Sequence, residues 1–470
     1  MTKMLETLNK FVWGVPALLL ILGVGLWLSF GTGWVQLTLL PRALVVFFRY
    51  LRSGNEKGKT SGYRALCTAL AATVGTGNLA GVAGAIAIGG PGAVFWMWIC
   101  ALLGMVTKYA EAALAVRYRV RNEAGELVGG PMYMIRLGMG KGWHWLGSIY
   151  CFFGVVAALG VGNATQVNAV ISGMNSALSA LGVNPSRGLD LLIGAMLAIL
   201  VAMMLSGGAG RIGEIAEKLV PFGAGAYLLL AFGVLLLRAD RVPAAFGAIV
   251  QGAFSPGAVT GGLVGSGFQA LRTGASRGVF TNEAGMGTAS IAHAAAETAH
   301  PAQQGLMGIM EVFLDTLVIC TMTALVILCS GIRIPYTVDT GAALTADAFG
   351  AVYGGWACIP IALALCCFAV ATILGWGLYG ARCAQFLFGE GAWKPFVYLQ
   401  TATVLAGALL RTDTVWLLSE TVNGLMAIPN LVALARLSPE LFRITKDYKR
   451  LTAGAVHGGT YANFHQCQPL

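Results

Sequence analysis

Hydrophobic positions in this chain come in long blocks, divided by short segments where Arg, Lys, Gly and Pro collect. A bilayer-crossing helix needs roughly 20 apolar residues, so the blocks predict about eleven spans. They fall near 12–32, 63–88, 93–116, 145–175, 189–206, 219–237, 259–295, 305–330, 355–380, 395–411 and 414–436. The expected fold class is therefore an all-α integral membrane protein. Two blocks are interrupted. In the second, Gly75, Thr76, Gly77 and Asn78 weaken the helix where lipid would demand one. The seventh is too long and too rich in Gly, Ser and Thr for one plain helix, and a broken element is expected there. Backbone freed at membrane depth survives only where it is buried in protein or lines a cavity. Each break thus marks a candidate site.

Setting the first span aside leaves ten, with the breaks at the first and sixth. That order is what two inverted five-helix repeats produce. The expected organisation is one transmembrane domain over 1–450, with an extra N-terminal helix at 12–32, repeats over 61–240 and 255–436, and a tail at 451–470 without apolar periodicity.

Composition sharpens this picture. Of 470 residues, 57% are hydrophobic and 11% charged, and the mean hydropathy is +0.74. The formal net charge of +10 sits in short inter-span loops and the C-terminal segment, a positive-inside pattern that leaves no reason to invoke nucleic acid. Arg42, Arg49, Arg52, Lys57, Lys59 and Arg64 mark a cytoplasmic loop. The N-terminus is then outside and, with an odd number of spans, the C-terminus is cytoplasmic, in a bacterial-type inner membrane. The ten cysteines form no C-x-x-C pair, and neither a metal cluster nor a nucleophile motif suggests an enzyme.

Several motifs carry a family resemblance: TVGTGNLAGVAGAI from Thr73, GGPGAVFWMWICALLG from Gly89, SRGVFTNEAGMGTA at 276–289, FLDTLVICTMTALVIL from Phe313 and ATILGWGLYGARC from Ala371. With them the chain resembles the alanine/glycine:cation symporter family, the sodium:alanine symporters. The resemblance implies sodium-driven transport of alanine or glycine, no cofactor beyond sodium as coupling ion, and the inverted-repeat fold of the amino acid–polyamine–organocation superfamily plus one N-terminal span. Larger substrates such as glutamine, and proton coupling, stay open. Thr281 stands where serine is common, and Leu378 where an aromatic is common.

An amino acid brings a carboxylate and an ammonium. Unwound amides at Gly75, Thr76 and Gly77 can take the carboxylate, with Asn78 adding an amide; the alternative is that these glycines only let helices pack closely. Gln166 resembles the family's binding glutamine, or makes an interhelical hydrogen bond. Phe280 and Trp376 resemble pocket walls, or are ordinary packing. Sodium prefers several oxygens, so the Thr372 hydroxyl is a candidate ligand, with carbonyls of Ala72, Thr73 or Gly75 facing it by similarity to the fold. Thr372 bonded to its own helix is the competing reading. Glu311 and Asp315, spaced i, i+4, either share a proton or act structurally, Asp315 pairing with Arg272 or Arg277 and Glu283 capping the half-helix after Asn282. The oligomeric state is not legible.

Overall fold

The computed structural model describes Asn9, Val12 and residues 14–52, 62–262, 264, 266–338, 341–408 and 412–458. Those residues are mostly helical. Seven helices among them are long and apolar enough to cross a membrane, and the bent pair Gly62–Thr73 with Gly77–Gly89 makes an eighth. The three other expected spans correspond to α1 (Val15–Thr32), to a divided element and to Trp393–Gly407, all shorter.

The helix α1 is apolar on every side and starts with Pro16 in its first turn, where a missing N–H costs nothing. It ends at Gly33 in a left-handed conformation. The basic segment expected as a loop begins instead as a helix, α2 (Leu40–Arg52), with apolar and basic residues on opposite faces. Lys57 and Lys59 lie outside the described residues.

The first broken element consists of α3 (Gly62–Thr73), a π-helical turn at Gly77–Gly81 and α4 (Val82–Gly89), with a bend of 53°. It is followed by α5 (Gly92–Arg117), whose first residue approaches the backbone of α10 (Val242–Phe254) so closely that a Cβ on Gly92 would lie 2.0 Å from the Gly252 carbonyl carbon. A two-stranded hairpin, β1 (Val120–Arg121) paired antiparallel with β2 (Leu127–Val128), closes the next turn.

Then come α6 (His144–Leu159), a second π turn at Gly160–Ala164, α7 (Thr165–Ala180), α8 (Arg187–Leu205) and α9 (Gly208–Leu237). The second broken element is α11 (Gly267–Asn282) and α12 (Thr288–Ala294), parted at residues 283–287. After it, α13 (Pro301–Val312) runs through a third π segment, Phe313–Cys320, into α14 (Thr321–Ser330). The remaining helices are α15 (Ala342–Tyr353), α16 (Cys358–Phe388), α17 (Trp393–Gly407) and α18 (Thr412–Gly458). The last continues past residue 450, so eight residues of the expected tail are helical; 459–470 lie outside the described residues.

The two breaks meet at the centre. A Cβ on Gly77 or Gly81 would lie 3.3 Å from the Thr281 methyl. The first and third π segments border this meeting point, and their freed backbone is satisfied by neighbours. The Thr345 hydroxyl of α15, for instance, donates to the Leu79 carbonyl at 3.1 Å.

Candidate functional site

At the first break, α3 stops because Gly75 and Gly77 give up helix propensity and Asn78 offers the backbone another partner. The Gly75 N–H donates to Asn78 Oδ1 at 2.8 Å, and Asn78 Nδ2 donates to Asp315 Oδ1 at 2.6 Å and to Cys320 Sγ at 3.3 Å. The second Asp315 oxygen accepts from Thr316 Oγ1 at 2.8 Å. Both ends of the Asn78 amide are thus engaged by protein and tie the bend together. Thr76 donates to Gln166 Oε1 at 3.1 Å while Gln166 Nε2 donates to the Val161 carbonyl, also at 3.1 Å. The break is so tied to α7 on one side and to the third π segment on the other.

Three of the four expected cation ligands, Ala72, Gly75 and Thr372, lie where α3 crosses α16. A Cβ on Gly75 would lie 2.5 Å from Thr372 Oγ1, and one on Gly375 would lie 2.8 Å from the Ala72 nitrogen. Thr372 donates to the Phe368 carbonyl at 2.9 Å. The helix-bonded arrangement therefore holds for its proton, and the oxygen's lone pairs stay free to face Gly75. Thr73 likewise donates to its own helix, to Ala69 O at 3.4 Å.

The second break is built differently. Phe280 and Thr281 end α11, Phe280 half-buried beside Gly77 and Thr281 donating to Gly278 O at 2.8 Å. Glu283 follows with φ +53°, a left-handed conformation that an L-residue keeps only when its surroundings hold it there. Two bonds do so: Trp376 Nε1 donates to Glu283 Oε1 at 2.9 Å and Thr288 Oγ1 to Oε2 at 2.6 Å. Trp376 is fully buried, its Cβ only 2.1 Å from where a side chain on Gly162 would begin. The π turn around Gly162 makes room for the indole.

Two structural expectations need correction. Glu283 does not cap the backbone of α12, whose N-cap Gly287 offers no side chain; it bonds the Thr288 hydroxyl and the indole because its left-handed backbone turns its carboxylate toward α16. Asp315 is held by Asn78 and Thr316 rather than by Arg272 or Arg277, since the π segment turns it toward the first break; Arg272 is exposed. Glu311 and Asp315 also do not share a proton. Glu311 Oε1 accepts from Lys108 Nζ at 2.8 Å, and Oε2 lies 3.1 Å from His293 Nε2.

Sequence reasoning missed Lys108, Glu111, His293 and Asn430 around the second break. Glu111 Oε1 accepts from the Gly285 and Gly287 N–H groups at 2.9 and 3.1 Å and from Asn430 Nδ2 at 2.8 Å. Gln304 links His293 Nδ1 to the start of α3 at the Gly62 carbonyl. The signal was present: a KYAE run inside an apolar span is costly in lipid and asks for partners.

Residues 1–457 match the family model described as the sodium:alanine symporter family. The sodium/alanine symporter AgcS of Methanococcus maripaludis is 41% identical, the match covering 96% of this chain and 97% of that protein. A probable sodium/glutamine symporter, GlnT of Bacillus subtilis, is 35% identical over 94% of this chain and 89% of its own length. The crystal structure of MhsT in complex with L-phenylalanine superposes with a TM-score of 0.56 over 83% of this chain and 99% of that one, at 14% identity, so the two share a fold. With two opposed breaks in one helical bundle and a match along nearly its whole length, the chain belongs to the sodium:alanine symporter family and is a multi-pass membrane transporter, not an enzyme.

Proposed function

We propose that this protein is a sodium-coupled symporter of small neutral amino acids, alanine and glycine foremost, working by alternating access across a bacterial inner membrane. The observation that carries the reading is the convergence of Gly75, Gly77, Thr281, Phe280 and Thr372 at the meeting of the two breaks. Backbone amides of residues 76 and 77 receive the substrate carboxylate there, and Gln166, reached through Thr76, orients it. Sodium takes the oxygens of Ala72, Thr73, Gly75 and Thr372 where α3 crosses α16. Phe280 bounds the substrate side chain. Trp376, pinned to Glu283, closes the pocket and favours a methyl or a hydrogen over a longer chain.

Binding both solutes to the same state couples their fluxes, because a ligand shifts a conformational equilibrium only by its differential affinity. The basic residues Arg42, Arg49, Arg436 and Arg443 support an orientation with the N-terminus outside and the C-terminus in the cytoplasm. The kinship with a glutamine symporter makes pocket size the decisive variable. Thermal unfolding of the purified protein tests the binding step, since a ligand that binds the native state raises the midpoint with concentration. Alanine should raise it in sodium and not in potassium. A shift by glutamine alone, or an alanine shift indifferent to sodium, contradicts the proposal.

A further inference from the structure

The second break is fastened by a carboxyl group whose bonding is lopsided. Glu111 Oε1 collects three donors, from Gly285, Gly287 and Asn430, while Oε2 is buried with no partner among the described residues. Asn430 is the mirror case. Its Nδ2 sits between two acceptors, Glu111 Oε1 and the Gly285 carbonyl, both at 2.8 Å. That fixes which end of the amide is nitrogen, and leaves Oδ1 buried and without a partner among the described residues. Two side chains already joined by one hydrogen bond thus each carry a buried acceptor without a donor among the described residues.

A carboxylic acid beside a primary amide supplies that donor. The amide N–H bonds the acid C=O, and the acid O–H bonds the amide C=O. The first of these bonds is present at 2.8 Å. We propose that Glu111 carries a proton on Oε2 and donates it to Asn430 Oδ1, forming a proton-binding site that clamps the unwound segment of the second break.

The surroundings favour a neutral acid. Around Glu111 are Lys108 on its own helix, Glu311 from α13, Tyr150 from α6 and Tyr379 from α16, with Glu283 of the unwound segment on the far side of Lys108 and Tyr379 and His293 of α12 behind Glu311. Neither tyrosine hydroxyl has a hydrogen-bond partner among the described residues, so neither serves Oε2. Glu111, Glu283 and Glu311 share the single ammonium of Lys108, which lies against Glu311. One cation cannot neutralise three buried carboxylates, and an unpaired buried charge is costly.

The proton comes from water when Gly285 and Gly287 close on Glu111, and returns to water when they part. In that step the Oε2–H bond breaks and its electron pair stays on the carboxylate. Proton occupancy is thereby linked to the position of a segment that must move for the site to open.

The test is infrared spectroscopy of the full chain in lipid, followed through hydrogen–deuterium exchange, with alanine uptake against pH as the second readout. Wild type should show a protonated-carboxyl C=O band at neutral pH. In Glu111→Gln, whose amide N–H replaces the acid O–H, that band should be gone and the decline of uptake at alkaline pH abolished. Glu111→Ala, which cannot bond the loop, should lose more than about tenfold in uptake. If Glu111→Gln does not insert, Asn430→Ala serves instead, and should move the band to higher frequency by removing the acid's acceptor and one of its three donors. A wild type without the band, a band unchanged in these variants, or an alkaline decline that survives Glu111→Gln overturns the proposal; the first two would point to water or a cation bridging Oε2 and Oδ1. The spectrum needs no substrate, so it stands apart from the transport assignment.

Discussion

The two broken elements use the same topological device with opposite chemistry. The first break is held mainly through its own side chains: Asn78 accepts from the Gly75 amide and donates to the Asp315 carboxyl, and Thr76 donates to Gln166. The second is held through carboxyl groups on both sides of the contact, Glu111 of α5 accepting from Gly285 and Gly287, and the segment's own Glu283 accepting from Trp376. A break whose own amides are bonded by a remote carboxyl group has those amides occupied. A break tied through its side chains keeps the amides at residues 76 and 77 for a ligand. In the proposed function this difference gives the substrate carboxylate to the first element and conformational control to the second.

Removing Asn78 should break this contrast most severely. Asn78→Ala strips the Gly75 amide and the buried Asp315 carboxyl of partners at once, and each bare buried group costs ~1–3 kcal/mol. Uptake should fall by about a hundredfold with normal membrane levels; near-wild-type uptake would remove the first break from the mechanism. The corresponding cut at the second break is Trp376→Phe, which keeps a ring but deletes the indole donor to Glu283. It should raise KM for alanine by roughly tenfold or somewhat more, and an unchanged KM would mean the indole does not hold the segment.

Thr372→Ala should raise the sodium concentration for half-maximal uptake by about tenfold, with Thr372→Ser restoring it, the expected worth of one hydroxyl ligand. A parallel rise in KM for alanine without any change in sodium dependence would place Thr372 on the substrate instead. The smallest effect belongs to the contact between the breaks. Thr281→Ser removes the methyl facing Gly77 and Gly81, and should change KM by about two- to threefold, in line with ~1 kcal/mol or less for one methyl group.

Much of this was legible in the chain itself. Long apolar blocks specify spans because lipid forbids unsatisfied backbone, and the GTGN interruption at residues 75–78 is visible for the same reason. Gly75 and Thr372 were placed on one ion site from family resemblance and lie together in the structure. What stayed hidden were pairings between residues far apart in sequence. Glu111 and Asn430 are separated by 319 positions and Asn78 and Asp315 by 237, and hydropathy records neither the partner of a buried charge nor the direction in which it points. The π segments were also invisible, since Phe313–Cys320 reads as plain apolar helix until Asp315 is seen turned toward Asn78. The amphipathic α2 was taken for loop because its basic residues dominated the reading.

The central claim is coupling, and flux into proteoliposomes measures it directly. Labelled alanine should accumulate against its gradient when sodium is high outside, and should not when an equal potassium or proton gradient replaces it; unlabelled glycine should compete and glutamine should not. Accumulation driven by protons alone, or competition by glutamine alone, would contradict the account.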